Sequence, residues 1–494
     1  MKILFKFTIC GLLTSLIFPP FFLLPIGFAV FPFLFFLLTN NSYINKNKIF
    51  HFNLGLFYGI GLNFIVLIWI KQPFSFYTET NNLSFISLLL IIYCSIYYGI
   101  VFWVLSFIKN NLSKIILMPV LFIIVEIFRD KFFFGFPWIK FAEAYSSNEL
   151  LLALIYFFGT NGIGYTVILL FLVPSIIFIY YTKKYKNNFS FFYLFFSFFV
   201  IFFSTALIFY KNINTNDNQN ESFKISLAQL NFSLKDKINN KNPEERLLKI
   251  NDIINDNNSD LLVFAENDFP FLIQEEKELE LISKNLKKNQ TIILGGTRKE
   301  NNKFFNTFIT IEKDNIKFFD KIILVPFGEF LPLRNLFSFF DFIVGSFDFS
   351  IGEKERIILT SNDLKILPII CYEIIFYENL LNKNNIDSKI MINITNDSWF
   401  GNLSGPYQHF YISRMRAVEF NKPLIRVSNN GISAIINQNG KIISNTNLNE
   451  ETILDSKILI LEQNNNLVNY HFAIYILFFI FGTLALLINK KYND

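Results

Sequence analysis

The stretch Ile366-Leu-Pro-Ile-Ile-Cys-Tyr-Glu373 decides how this chain is read: a short apolar run ends abruptly at a thiol and turns into a phenol and a carboxylate. Two other stretches have the same form. Leu261-Leu-Val-Phe-Ala265 runs into Glu266, and Asp320-Lys321 introduces Ile322-Ile-Leu-Val-Pro326-Phe-Gly-Glu329. Each places a reactive side chain at or beside the end of an apolar strand, where open sheets put their ligand sites.

Working outward, residues 223–465 alternate strand-like and helix-like segments. Short apolar runs at Phe223–Leu230, Leu261–Ala265, Thr291–Leu294, Phe308–Ile311, Ile322–Val325, Leu364–Ile370, Ile390–Ile394, Leu424–Val427 and Ile432–Ile436 predict strands buried between helices. Pro243–Ile254 and Glu275–Lys288 have helical spacing. The class is α/β or α+β, built on a central sheet. Residues 212–222 (NINTNDNQNES) read as a polar linker, which divides the chain into 1–211, the linker, 223–465 and 466–494.

The 494 residues are 52% hydrophobic, with a mean hydropathy of +0.39, and the excess lies in the first 210 residues. A span needs about 20 mostly apolar residues. Segments 3–18, 21–39, 53–70, 84–108, 115–128, 163–182, 189–210 and 469–488 qualify, giving about eight spans, seven before the globular part and one after it. The first, with Lys2 and Lys6 ahead of it, also has the form of a signal peptide, but no small-residue cleavage site follows and Pro19-Pro20 leads into the next span. Lysines favour one side: Lys46 and Lys48, Lys109 and Lys114, Lys183, Lys184 and Lys186, then Lys490 and Lys491. By the positive-inside rule the globular part is delivered to the outer side, the periplasm in a Gram-negative cell. Glu126 and Arg129 read as an i,i+3 interfacial ion pair and Trp138 as an interface aromatic.

The 66 phenylalanines, with abundant Asn, Ile and Lys, fit a bias toward A+T-rich codons. The net charge of +5 comes with no basic run suited to nucleic acid. Cys10, Cys94 and Cys371 make no disulfide framework, and His51, His409 and His471 are too scattered for a zinc-ligand cluster.

A thiol at neutral pH needs a base or a positive neighbour to become a nucleophile. Glu266 is suited to take its proton and return it to a leaving group, and Lys321 to stabilise the thiolate and the oxyanion that follows. Singly, each residue has an ordinary alternative: a core cysteine, or a solvated charge at a strand end.

In chain order, Glu266, Lys321 and Cys371 resemble the triad of the nitrilase superfamily. The words LVPFGEFLPLR (324–334), ICYE (370–373), NITNDSWFG (393–401), GPYQHFYISRMRAVEF (405–420), RVSNNGIS (426–433) and FGFPWIKF (134–141) are narrower and resemble the apolipoprotein N-acyltransferase family over nearly the whole chain. The resemblance implies a multi-pass α-helical membrane domain and an α-β-β-α sandwich. It implies Cys371 as nucleophile, Glu266 as base and Lys321 as oxyanion stabiliser, with Glu329, Tyr372, Glu373 and Trp399 in support. It implies transfer of a fatty acyl chain, through a Cys thioester, from a membrane phospholipid to a diacylated apolipoprotein at the bacterial inner membrane, with no metal or organic cofactor.

Two positions depart from the family pattern. Ala265-Glu266-Asn267 stands where Pro-Glu-Thr is usual, and no Trp follows Gln229-Leu-Asn231. The apolar segment Leu336–Phe349, with Phe339 and Phe340, reads either as a buried loop or as a lid that dips toward lipid. A membrane-anchored amidase with the same triad, and a catalytically dead scaffold or transporter, are the rival readings. The lipid-bound bundle and family words weigh against the first, the intact triad against the second.

Overall fold

A computed structural model describes residues 1–40, 46–76, 80–132, 135–181, 222–274, 277–284, 286–287, 289–334, 348–353, 355–459 and 473–491. The chain forms two compact units. One comprises Met1–Lys71, Phe85–Asn216 and Asn466–Asp494, the other Gln72–Ser84 and Asp217–Asn465.

The first unit is helical: α1 (Lys2–Ser15), α2 (Gly27–Thr39), α3 (Lys48–Val66), α4 (Ser87–Leu105), α5 (Asn111–Lys131), α6 (Ile155–Phe171), α7 (Val173–Tyr181) and, far along the chain, a helix at Ala473–Lys491. Its helices are apolar on outward faces too, with Phe36, Leu89, Phe128 and Phe479 all exposed. That is the pattern of helices whose solvent is lipid. Among the described residues, three helices are long and apolar enough to cross a membrane: Lys48–Val66, Asn81–Leu105 and Asn111–Lys131. A fourth is added if α6 and α7, bent by 44°, make one span.

This is fewer than the eight spans expected. The runs 3–18 and 21–39 form helices of 14 and 13 residues, separated by the turn at Pro19-Pro20, and 189–210 lies outside the described residues. An apolar run states length without saying where the helix stops. The expected Glu126–Arg129 pair is also different: Glu126 Oε1 accepts from Phe141 N (3.0 Å) and Arg129 Nη2 donates to Ile139 O (2.6 Å), so both side chains hold the 139–141 backbone. Trp138 is buried against Trp69 rather than placed at an interface.

The second unit is a two-sheet sandwich. Its seven-stranded sheet runs β13-β1-β2-β4-β5-β6, with β3 (Leu272–Ile273) on β4. Those strands are β1 (Ser222–Gln229), β2 (Leu261–Phe264), β4 (Thr291–Glu300), β5 (Lys303–Glu312), β6 (Asn315–Asp320) and β13 (Thr452–Leu459). The six-stranded sheet runs β12-β11-β10-β9-β8-β7: Ile442–Asn445, Ala434–Ile436, Leu424–Ser428, Ile390–Thr395, Lys365–Ile370 and Ile358–Leu359. β1 and β2 lie against β10, and β5 against β8. Helices α8 (Pro243–Asp256) and α9 (Lys277–Lys284) cover the first sheet, with Ile250, Ile254, Leu279 and Ile282 packed on Leu262, Phe264 and Ile292. α10 (Ser404–Glu419) packs on β10 of the second sheet. The layers are therefore α-β-β-α, the nitrilase-like carbon-nitrogen hydrolase fold.

One expected strand is absent. Ile322–Val325 is apolar but not part of a ladder, because the backbone N–H groups of Ile322 and Ile323 are taken by the Glu373 carboxylate (2.8 and 3.1 Å). β13 was not foreseen; its alternating burial belongs to an edge strand with one wet face.

Candidate active site

The carboxylate of Glu266 stands at the loop that follows β2. Lys237 Nζ donates to Glu266 O (2.9 Å) and pairs with Asp268 (2.8 Å), while Asp268 accepts from Ala265 N (2.9 Å). Asn267 sits at φ +55, a conformation that Asn tolerates and a β-branched residue does not. The departure from Pro-Glu-Thr is thus accommodated in this loop. Gly295 on β4 makes room for it: a Cβ there would lie 2.6 Å from Ala265 O.

Lys321 follows β6 directly and is buried between two carboxylates, 3.5 Å from Glu266 and 2.9 Å from Glu329. Burial alone would pull its ammonium down, but Glu329 and then Glu266 outweigh that and hold it above its ordinary value. Asn306 on β5 ties the group together. Its Nδ2 donates to Glu266 Oε1 and Glu329 Oε1, both at 2.8 Å. The second oxygen of Glu329 accepts from Val325 N (2.8 Å), so this residue fixes its turn as well as facing Lys321.

Cys371 begins a tight turn, Cys371–Ile375, immediately after β8, at φ +48. A non-glycine residue there stores roughly 1–3 kcal/mol and persists only when its surroundings hold it. Glu373 supplies one clamp. It is fully buried, forms a two-pronged pair with Arg356 (2.8 and 2.7 Å) and accepts from Ile370 N (2.9 Å). Its carboxyl opposes burial through Arg356 and stays below the usual carboxylate range. Glu373 therefore locks the Cys371 turn to the segment after Lys321. Tyr372 is buried edge-on to Phe376 (5.0 Å), and Trp399 packs edge-on to Phe76 (5.6 Å).

The Cys371 thiol is close enough to Glu266 and Lys321 for both charges to act on it. Burial, then Glu266, push it up; Lys321 and the Thr395 hydroxyl pull it back, and the net is a raised thiol. The resting sulfur is therefore protonated. A carboxylate that removes the proton as an acyl group arrives, and an ammonium that faces the developing charge, are what covalent acyl transfer requires of such a thiol. The structure thus brings Glu266, Lys321, Glu329 and Cys371 together and places Glu373 behind them. Phe339 and Phe340 lie outside the described residues, although the base of their segment is closed by Arg334 on Asp348 (2.5 and 3.0 Å).

Sequence reasoning missed Asn306 and a network behind the thiol. Asp397 accepts from Arg426 Nη2 (2.6 Å) and Thr395 Oγ1 (3.2 Å), and its Oδ1 lies 2.8 Å from His409 Nδ1. Arg426 Nη1 also orients Asn393 (2.6 Å), whose amide points to Cys371 O at 3.5 Å. Gly431 is obligatory beside this cluster, since a Cβ there would meet Asp397 Oδ2 at 2.1 Å. The available signal was Arg426 in the apolar run Leu424–Val427, because a charge inside a buried strand must be paired. On the arm that lacks the family's Trp, Phe232 is held through Asn429, which bonds its N–H (3.0 Å) and its C=O (2.8 Å).

Comparison with known proteins agrees with this architecture. Residues 224–460 match the carbon-nitrogen hydrolase family, and residues 10–173 the apolipoprotein N-acyltransferase N-terminal domain. The apolipoprotein N-acyltransferase of Rickettsia prowazekii is 30% identical over 89% of this chain and 88% of its own length. That of Wigglesworthia glossinidia brevipalpis is 31% identical over 81% of each. The crystal structure of Saccharomyces cerevisiae Nit3, of the nitrilase superfamily, covers 48% of this chain and 90% of its own at 19% identity and a TM-score of 0.36. A match at this identity over nearly nine-tenths of both chains, together with both family domains in their order, decides the assignment: the chain belongs to the apolipoprotein N-acyltransferase family.

Proposed function

We propose that this N-acyltransferase of lipoprotein maturation takes a fatty acyl chain from a membrane phospholipid and passes it, through a thioester on Cys371, to the free amine of an S-diacylglyceryl cysteine. The observation that carries the reading is Lys321, held between Glu266 and Glu329 beside a thiol on which the Lys321 and Glu266 charges act. Cys371 Sγ attacks the ester carbonyl as Glu266 takes the thiol proton, and Lys321 faces the oxyanion. The intermediate collapses, breaking the ester C–O bond, and Glu266 protonates the departing lysophospholipid. The acceptor amine then attacks the thioester and gives its proton to Glu266, which returns it to the leaving sulfur. Glu329 and Asn306 keep Lys321 and Glu266 in register, Glu373 and Tyr372 hold the turn, and Trp399 lines the pocket.

Residues 1–211 are the membrane domain, 212–222 the linker, 223–465 the catalytic domain and 466–494 the C-terminal apolar segment with its tail. The lysine asymmetry supports a catalytic domain on the periplasmic side of the inner membrane, where both lipid-anchored substrates meet it. In mixed micelles with phospholipid and a diacylated lipopeptide, the lipopeptide mass is expected to rise by one acyl group. Double-reciprocal lines are expected to be parallel as both substrates vary. Release of free fatty acid with no gain in lipopeptide mass would turn the reading to a hydrolase. Protease added to spheroplasts is expected to cleave the 223–465 domain; full protection would reverse the orientation.

A further inference from the structure

The second unit carries a recess of about 400 Å³ that none of the roles above uses. Gln72, Asn231, Ser398, Asn402 and Asn430 contribute to its wall, together with Phe76 and Phe232. None of the described side chains lining it carries a charge. Its place is set by β9. Ser398 lies four residues beyond Ile394, which pairs with Ile370, the residue before Cys371, a chain reach of at most about 14 Å. Asn430 is 7% exposed, and its Oδ1 has no hydrogen-bond partner.

The lining selects its ligand by chemistry. A phosphate would call for Arg or Lys, and an acyl chain for an apolar wall. Neutral amides and hydroxyls interleaved with aromatic faces suit an extended, uncharged peptide, whose N–H and C=O groups need partners of both kinds. A volume of this size also lies within the range of small-ligand pockets, about 300–1,000 Å³. We infer that the recess holds the first residues of the acceptor polypeptide after its lipidated cysteine, so that the cysteine amine is presented to the acylated Cys371. The inference deepens the two-step reading above and rests on it.

Two substitutions test it. Leu403→Trp, at a half-exposed position in the wall, fills the recess without disturbing a buried group, and Asn430→Leu removes a polar partner. The acceptors are a synthetic S-diacylglyceryl-cysteinyl pentapeptide and S-diacylglyceryl-cysteine amide, with phosphatidylethanolamine micelles as donor. Acylation of the variants by phospholipid alone is expected to stay within about twofold of the unsubstituted chain. KM for the pentapeptide is expected to rise about tenfold, and KM for the cysteine amide to hold. Slower acylation by phospholipid alone would assign the recess to the donor and overturn the inference, as would equal losses with both acceptors or no change with either. If the unsubstituted chain makes no acyl adduct but the pentapeptide effect is still seen, the thioester fails and the peptide site stands.

Discussion

The two sheets support the candidate site in different ways. The arm from the seven-stranded sheet is a balance of charges at the end of strands: Glu266, Lys321 and Glu329, their side chains 8, 1 and 12% exposed, with one Asn306 amide bridging the two carboxylates. The arm from the six-stranded sheet is sealed, with Asp397, His409 and Arg426 all fully buried behind the strained Cys371 backbone. The carboxylates of the first arm keep a little exposure, as proton exchange with a substrate would require, while the groups that hold a costly backbone conformation are kept from water. Substitution in the first arm should therefore remove activity and spare the fold, whereas substitution in the second should remove both.

The largest expected effect tests the first arm. Glu266→Gln keeps the hydrogen bond to Asn306 but cannot accept a proton, and acyl transfer should fall by about 10⁴, near 5 kcal/mol. Near-native turnover with a native unfolding temperature would remove Glu266 as the base. Next, Asp397→Ala leaves Arg426 buried without its carboxylate and should cost about 4 kcal/mol in chemical denaturation. A loss of turnover with stability intact would make the second arm chemical rather than structural.

A smaller effect comes from acid. Asp397 is held at about 2, against an ordinary 3.8, because Arg426 and His409 outweigh its burial. A depressed folded value gives stability that is complete above 3.8 and lost as pH falls toward 2, roughly 2 kcal/mol for this group. Glu373 is shifted in the same direction. An unfolding temperature that stays flat from pH 4 to pH 2 would contradict this. The smallest effect belongs to the partly exposed Arg334–Asp348 pair, where Arg334→Ala should change stability by under about 1 kcal/mol.

The two arms were also unequally legible in the sequence. Glu266, Lys321 and Cys371 stand beside apolar runs, so a reader who finds the strands finds the chemistry. Glu329, Glu373 and Trp399 came from family words, and only the fold separates the carboxylate facing Lys321 from the one locked on Arg356. Asn306 meets Glu266 and Glu329 only through the packing of β5, and Thr395, Asp397, His409 and Arg426 meet only across the second sheet and α10; of these, Arg426 alone left a local signal, a charge inside an apolar run. The strand count suffered at Ile322–Val325 for a related reason: the apolar pattern was present, but a distant carboxylate had taken the backbone donors. Span counting suffered because apolar composition does not mark where a helix turns.

The most direct test of the central claim is the intact mass of purified protein incubated with phospholipid and no acceptor. The expected result is one fatty-acyl adduct per chain, removed by hydroxylamine and absent from Cys371→Ala. An adduct that survives in Cys371→Ala, or its absence from the unsubstituted chain while lipopeptide is still acylated, would contradict a thioester on Cys371.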